Sequence, residues 1–160
     1  DCLATTVMYQ RKFSKEKFKI FHPGGNIGNS LLLANDIMVT GKKMPTVNYK
    51  KNLKNALIEM NTKKLGIVVI LKNKFIKGLV TDGDLRRELK DYNYNNSLNK
   101  FITSKPFVVN ENMPASKALA IMSEKKITSL LVVSDKDYTK KNKTLKGIIH
   151  IHFLLNNGVK

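Results

Sequence analysis

The sequence is poor in several residue types, and each shortage excludes a class of protein. A single cysteine, Cys2, cannot form an internal disulfide, which excludes a disulfide-stapled secreted domain and favours a reducing, cytoplasmic setting. No apolar run approaches the roughly 18 residues that a membrane-spanning helix needs, so no membrane association is expected. Cysteines and histidines do not cluster at the spacing of a metal site, and we therefore predict no metal and no cofactor.

Arginine is scarce as well, although the chain is strongly basic. Among 29 basic residues, set against 12 acidic ones, only Arg11, Arg86 and Arg87 are arginine, and the formal net charge is +17. Arginine makes the bidentate contacts with phosphates and bases, and aromatic residues are not interleaved with the lysines as in a stacking platform. A solvated lysine surface is the simpler interpretation, and non-specific nucleic-acid binding is kept as an alternative.

The size and hydrophobic content of the chain allow a buried core. It has 160 residues, of which 42% are hydrophobic, enough for one ordinary domain or two small ones. The first residues lack the basic-then-apolar layout of a secretory signal and contain no initiator Met. We therefore expect the chain to be a piece of a longer protein.

An internal repeat organises most of the sequence. The stretch Lys54–Met60 resembles Ser116–Met122, and both have apolar residues at helical spacing. Each is followed by a lysine pair, by a short β-branched run and then by a run that a glycine opens, Gly78 in the first copy and Gly147 in the second. The polar segment 135–143 is predicted to be a loop that absorbs the extra length of the second copy.

Each copy is predicted to form a β-α-β-β-α unit. Opening strands are expected at 46–47 and 107–109, helices at 53–62 and 114–124, buried strands at 67–70 and 129–133, partner strands at 75–80 and 146–149, and short final helices at 82–90 and 150–155. Pro114 suits the first turn of its helix. The segment 1–33 lies outside the repeat and is predicted to be helical with turns.

The motifs of the repeat resemble those of paired CBS domains. In that family the glycine-opened strand runs into a Thr/Ser-x-x-Asp sequence, which Gly78–Leu85 matches at every specified position, and Asn35–Met38 resembles the start of a first CBS unit. The resemblance implies an α/β fold with two β-α-β-β-α units around a pseudo-twofold axis. The expected domains are residues 34–95 and 96–160.

A second group of motifs is similar to the domain junction of arabinose-5-phosphate isomerases. The junction motifs are Arg11–Ser14 and the turn His22–Gly28 with the letters HPGGNIG, and two further segments, Thr81–Arg87 and Ile127–Ser129, recur in the same family. That resemblance implies that residues 1–33 are the tail of a sugar isomerase (SIS) domain. Enzymes of this family interconvert ribulose 5-phosphate and arabinose 5-phosphate for synthesis of the Kdo sugar of lipopolysaccharide, and they assemble as tetramers.

The catalytic prediction is confined to one residue. By resemblance, His22 matches an active-site histidine, and a histidine is suited to acid–base chemistry near neutral pH. The phosphate-binding loop and the other catalytic groups of the family lie upstream of this chain. We therefore expect a homo-oligomer that binds sugar phosphate only together with a SIS domain, and no turnover by this chain alone.

The strongest local signal for ligand binding is the Thr81–Asp84 segment. Thr-x-x-Asp at a helix start is close to a capping box, in which hydroxyl and carboxylate satisfy unpaired backbone amides. The resemblance adds that Asp84 accepts hydrogen bonds from ribose hydroxyls, with Thr81 near the phosphate. Arg86 and Arg87 are further candidates for a phosphate contact, and one of the two is expected only to cover the surface. The ligand implied is a nucleotide or a CMP-sugar; a ligand-free structural CBS pair that only promotes oligomerisation is the alternative.

The second unit departs from this pattern. Alignment of its glycine with that of the first unit puts His150 at the Thr81 position and Phe153 at the Asp84 position. We interpret His150 and His152 as capping or core-edge residues. The segment with Ile127, Thr128 and Ser129 is implied to face the same cleft as Asp84 and to read a base edge through its backbone; the alternative is a buried strand start with both hydroxyls satisfied.

Overall fold

The structure is a computed structural model that describes residues 2–13, 31–87, 98–103 and 105–160. Helix α1 (Cys2–Gln10) precedes the repeat, as the sequence predicted, and it is largely exposed: Leu3 and Tyr9 are 80% and 88% accessible. His22 lies outside the described residues. Within the described residues, no helix is both long enough and apolar enough to traverse a bilayer.

The first unit contains one three-stranded sheet and two main helices. In chain order its elements are α2 (Ala34–Ile37), a 3-10 turn (Gly41–Lys43), β1 (Thr46–Asn48), α3 (Leu53–Lys63), β2 (Ile67–Lys72), β3 (Phe75–Thr81) and α4 (Asp82–Arg87). Ala34 and Ile37 of α2 pack into the core of the second unit. Strand β1 pairs parallel with β2, and β2 pairs antiparallel with β3. Asn52 begins α3 by accepting a hydrogen bond from the amide of Asn55, and Lys64 ends it in the left-handed conformation.

The second unit repeats this topology. Its elements are a 3-10 turn (Leu98–Lys100), β4 (Val108–Asn110), α5 (Ala115–Lys125), β5 (Ser129–Val133), α6 (Asp135–Tyr138), β6 (Gly147–His150) and α7 (Ile151–Asn156). The parallel and antiparallel pairings are the same as in the first sheet. The predicted α/β fold with two β-α-β-β-α units is therefore confirmed.

Two local predictions in the second unit are wrong. Pro114 is not in the first helical turn: its ψ of 136° is extended, and the helix begins at Ala115. The segment 135–143 is not all loop, because Asp135–Tyr138 forms one helical turn after Ser134. The amides of Asp137 and Tyr138 donate to the carbonyl of Ser134, and such a turn rests on backbone contacts that composition does not reveal.

The middle strand of each sheet is buried on both faces, which explains its uninterrupted apolar sequence. In β2, Val68 and Ile70 pack against the helices of their own unit, whereas Ile67 and Val69 face the other way. Those two residues join a shared core with Leu131 of β5 and with residues of β3 and β6. The two units are therefore held face to face by apolar side chains of both sheets.

Each sheet is extended by the chain segment that leads into the other unit. Val39, just before the first unit's sheet, exchanges backbone hydrogen bonds with Ile148 of β6, and Thr103, just before the second unit's sheet, does the same with Leu79 of β3. At Gly78 a β-carbon would lie 2.5 Å from the carbonyl oxygen of Thr103. Gly78, which lies within β3, therefore permits this close crossing.

Candidate functional site

A cavity of about 630 Å³ lies between the two units, within the size range of small-molecule sites. We call it the interunit cavity. It is lined by residues that end β3 and begin α4, by residues that begin β2 and β5, by residues before β4, and by two histidines: Lys64, Leu65, Gly66, Ile67, Leu79, Thr81, Asp82, Gly83, Asp84, Thr103, Lys105, Pro106, Phe107, Lys126, Ile127, Thr128, Ser129, His150 and His152. Five residues singled out from the sequence, Thr81, Asp84, Ile127, Thr128 and Ser129, are among them.

The Thr81–Asp84 segment forms the reciprocal capping box that its sequence predicts. The hydroxyl of Thr81 accepts from the amide of Asp84 at 3.0 Å, and Asp84 Oδ2 accepts from the amide of Thr81 at 3.0 Å. The same oxygen accepts from the Thr81 hydroxyl at 2.7 Å and lies 3.5 Å from the hydroxyl of Thr103. These contacts fix the orientation of the carboxylate at the cavity wall.

Arg86 is not part of the cavity lining. Its guanidinium donates to the carboxylate of Asp82 one helical turn earlier, and its side chain is 72% exposed. Such an exposed i,i+4 ion pair stabilises a helix only slightly. The structure therefore fits the surface interpretation of Arg86 better than the phosphate-contact one.

Ser129 and His150 are the buried polar residues of the second-unit wall, and they differ in their hydrogen bonding. Ser129 is 9% exposed at the start of β5, and its Oγ has no hydrogen-bond partner among the described residues. The expectation that the hydroxyls of this strand start are satisfied is therefore wrong for Ser129. The backbone of Thr128 is engaged, since its carbonyl accepts from the amide of Ile151 at 2.9 Å.

His150 occupies the position that corresponds to Thr81. It lies opposite Ser129 in the β5–β6 ladder, as Thr81 lies opposite Ile67 in β2–β3. Its Nδ1 accepts from the amide of His152 at 3.3 Å, so it caps α7, which is one of the two roles that the sequence left open. Burial lowers the pKa of His150, and the nearby His152 lowers it further, so the ring is neutral near pH 7.

Phe153 occupies the position that corresponds to Asp84. It is partly buried and packs against the second unit's own core and against the core shared by the two sheets. A side chain held in this way has no carboxylate to offer a ribose. The two units therefore have the same backbone topology beside the cavity, but the first has a carboxylate at this position and the second has an aromatic ring.

Sequence reasoning did not assign three lysines of the lining. Lys64 and Lys126 end the two equivalent helices with φ of 56° and 53°, and Lys105 lies in the segment before β4. The lysine pairs were visible as part of the repeat. That these lysines line the same cavity could not be seen in the sequence, because it depends on how the two units face each other. Among the described residues, no group of three or more potential metal ligands comes together.

This arrangement of paired units defines a known class of protein. A family model of the CBS domain matches residues 34–91 and 98–152, and the chain belongs to this family as a CBS pair. Over 99% of its length it is also homologous to the CBS-containing part of arabinose 5-phosphate isomerases. It is 40% identical over 164 residues to arabinose 5-phosphate isomerase KdsD of Yersinia pestis and 35% identical over 160 residues to an uncharacterised protein of Rickettsia prowazekii. The chain spans 48% of the length of each.

Solved structures support the same fold. The crystal structure of CBSX2 in complex with AMP superposes with a TM-score of 0.65 at 20% identity, covering 79% of this chain and 95% of that one. The CBS domain of the bacterial CNNM/CorC family Mg²⁺ transporter in complex with ATP gives a TM-score of 0.66 at 16% identity, covering 90% of this chain and 96% of that one.

Proposed function

We propose that the chain is the cytoplasmic regulatory CBS module of an arabinose-5-phosphate isomerase and that it binds a nucleotide or a nucleotide-sugar in the interunit cavity. The observation that carries the proposal is the meeting of Asp84, on the first unit, with the Ile127–Ser129 segment of the second unit across one cavity. A cleft with a fixed carboxylate on one side and a strand start on the other is suited to a ligand with a sugar diol and a planar base.

The enzymatic half of the proposal rests on the relatives. The isomerases that the chain resembles are about twice its length, so the proposed SIS domain and its phosphate-binding groups would belong to the rest of such a protein. His22 would act there on the proton moved between neighbouring sugar carbons. A histidine without a phosphate anchor does not orient a sugar phosphate, so the chain alone is expected to show no turnover.

The binding half of the proposal is supported by the geometry of Asp84. Three donors from Thr81 and Thr103 surround its Oδ2 and hold the carboxylate in one orientation. Groups that are already ordered lose less conformational entropy when a ligand arrives. In the proposal Asp84 accepts from the ribose hydroxyls, Thr81 lies near the phosphate, and the backbone of the Ile127–Ser129 segment reads the base. That two structurally similar CBS proteins carry AMP and ATP makes nucleotides the first ligands to test.

Calorimetric titration tests this proposal directly. AMP, ATP and a CMP-sugar are titrated into the chain and into Asp84→Ala, which is expected to weaken binding at least about tenfold because a charged acceptor is lost. Asp137→Ala is the matched control: it removes the same charge from α6, outside the cavity lining, and is expected to leave affinity within about twofold. No heat with any of these ligands would refute the binding role.

The alternatives predict different results in the same samples. A ligand-free CBS pair that serves only assembly predicts a melting temperature indifferent to nucleotides together with concentration-dependent association. Charge-driven nucleic-acid binding predicts an affinity that falls steeply as salt is raised.

A further inference from the structure

The second-unit wall of the interunit cavity presents two adjacent polar side chains, Ser129 and His150. These residues are direct partners in the antiparallel β5–β6 ladder, and both line the cavity. Direct partners on one face of such a ladder have β-carbons about 4.5–5.5 Å apart, close enough for both side chains to contact one ligand group. His152 extends the row, with its ring centroid 4.9 Å from that of His150.

The hydrogen-bonding state of these groups makes them donors. Because Nδ1 of His150 accepts from the backbone, the neutral ring carries its proton on Nε2 and donates from there. Ser129 Oγ has no partner among the described residues, although the residue is only 9% exposed. The oxygen is covered by protein atoms in this rotamer, so contact with a ligand in the cavity would require rotation about χ1 to another staggered rotamer.

The charges of the lining favour an anion on this side. Both carboxylates of the lining, Asp82 and Asp84, belong to the first unit, whereas Ser129, His150 and His152 belong to the second. Three lysines also line the cavity. Lys64 ends α3, Lys126 ends α5, and Lys105 lies in the segment before β4. A ligand oxyanion placed against the second unit has hydroxyl and imidazole donors beside it and ammonium groups in the same lining, and that unit contributes no carboxylate to the lining.

We propose that Ser129, His150 and His152 form an oxyanion subsite of the interunit cavity, which binds a phosphate or carboxylate group of the ligand. The inference rests on the proposed function, since it concerns the same cavity. Where the group bound is the single phosphate of AMP, this placement replaces the one near Thr81. It gives the second unit a binding role of its own, in place of the ribose contact that Phe153 rules out.

Two substitutions of His150 separate its capping role from its donating role. His150→Asn retains an acceptor near the Nδ1 position, so the cap of α7 is kept, and it removes the Nε2 donor. His150→Gln retains a donor near the Nε2 position and removes the cap. Ser129→Ala removes only a hydroxyl that has no partner among the described residues, and His152→Gln alters an exposed residue, so both variants are expected to fold.

The experiment compares ligands that differ by one oxyanion. AMP is compared with adenosine for the phosphate, and CMP-N-acetylneuraminate with CMP for the carboxylate, by calorimetry on the chain and its variants. Ser129→Ala and His150→Asn are expected to lower affinity for the oxyanion-bearing member of one pair by about tenfold, with less than about twofold change for the other member. His150→Gln is expected to bind within about threefold of the unaltered chain. The pair that responds identifies phosphate or carboxylate as the group bound.

Equal losses for both members of each pair, or no loss, overturn the subsite. If no nucleotide binds, the proposed function fails, and inorganic phosphate and acetate are then titrated while the imidazole nitrogen signals of His150 and His152 are followed by NMR. A shift that Ser129→Ala abolishes supports the subsite without the nucleotide role. The absence of any shift with either anion overturns the subsite as well.

Discussion

The two units share a topology and differ in the residues that end their third strands and begin the helices that follow. In the first unit, Thr81 and Asp84 form a capping box whose carboxylate lines the interunit cavity. In the second, His150 caps the helix with a ring nitrogen, and Phe153 packs into the core. A hydroxyl and an imidazole nitrogen can fill the same structural role as a cap, so the fold tolerates the exchange. The comparison teaches that the repeat conserves strand register and packing, while its cavity-facing chemistry has diverged.

The largest expected effect comes from substitution of the two equivalent glycines, which tests whether the chain crossings beside them are equally tight. A β-carbon at Gly78 would lie 2.5 Å from the backbone oxygen of Thr103, whereas one at Gly147 would meet the side chain of Met38, 2.3 Å from its sulfur. A methionine can move aside more easily than a backbone carbonyl. We expect Gly78→Ala to lower the free energy of unfolding by about 3 kcal/mol and Gly147→Ala by about 1 kcal/mol, measured by urea unfolding. Equal losses would show that the two crossings are equally tight.

Replacement of Phe153 by aspartate tests whether the second unit can regain the first unit's residue. The change removes an aromatic ring from two apolar clusters and puts a charge there, so Phe153→Asp is expected to cost about 2–3 kcal/mol of unfolding free energy. Leu155→Asp is the control, because Leu155 lies in the same helix and is 53% exposed; about 0.5 kcal/mol or less is expected. Chemical denaturation measures the loss of unfolding free energy in both variants. Similar losses would mean that Phe153 does not contribute to packing.

Two hydroxyls of the cavity are expected to respond oppositely to removal. The Thr81 hydroxyl caps α4, and Thr81→Ala is expected to cost about 1 kcal/mol of unfolding free energy. Ser129 Oγ makes no hydrogen bond within the described residues, so Ser129→Ala is expected to leave stability unchanged or to raise it. Thermal unfolding without ligand measures both, and a marked loss in Ser129→Ala would indicate a structural partner for that hydroxyl.

The same contrast shows how far the sequence predicts the site. The Thr81–Asp84 box and the cap by His150 were predictable, because both depend on residues two or three positions apart in the chain. The lack of a hydrogen-bond partner for Ser129 Oγ among the described residues could not be predicted. Whether a buried hydroxyl has a partner depends on residues that the fold brings near it. The turn at Asp135–Tyr138 was missed because a run of Asp, Lys and Thr is typical of a loop.

The arrangement of the two units was predictable only through the resemblance to paired CBS domains. The β-branched content of the two short apolar runs predicted the strands β2 and β5, and both faces of each are buried. The sequence pattern did not show which of the two side chains, Val68 or Val69, faces the core of its own unit and which faces the core shared by the two sheets. The convergence of Lys64 and Lys126 on the interunit cavity follows from that choice and was therefore not foreseen.

The smallest expected effect is a dependence of stability on pH that belongs to the second unit alone. His150 has a folded-state pKa below its ordinary value of 6.5, because burial disfavours the imidazolium and His152 adds repulsion. The unfolded chain therefore takes up a proton first as the pH falls. The stability that the neutral ring confers is present above pH 6.5 and is lost as the pH falls through the lowered folded-state pKa. The other titratable and charged groups that line the same cavity are Lys64, Asp82, Asp84, Lys105, Lys126 and His152.

His150→Asn isolates this effect, since it keeps a capping acceptor and removes the titrating ring. Urea midpoints are measured for both proteins at a pH near 8 and at a pH near 5, on either side of the ordinary histidine value. Carboxylates such as Glu111, whose pKa is lowered by its hydrogen bond from Lys146, titrate in both proteins and cancel in the difference. The unaltered chain is expected to lose more stability than the variant on acidification. Parallel losses would mean that His150 titrates alike in the folded and unfolded chain, and that burial in the second unit does not hold its ring neutral.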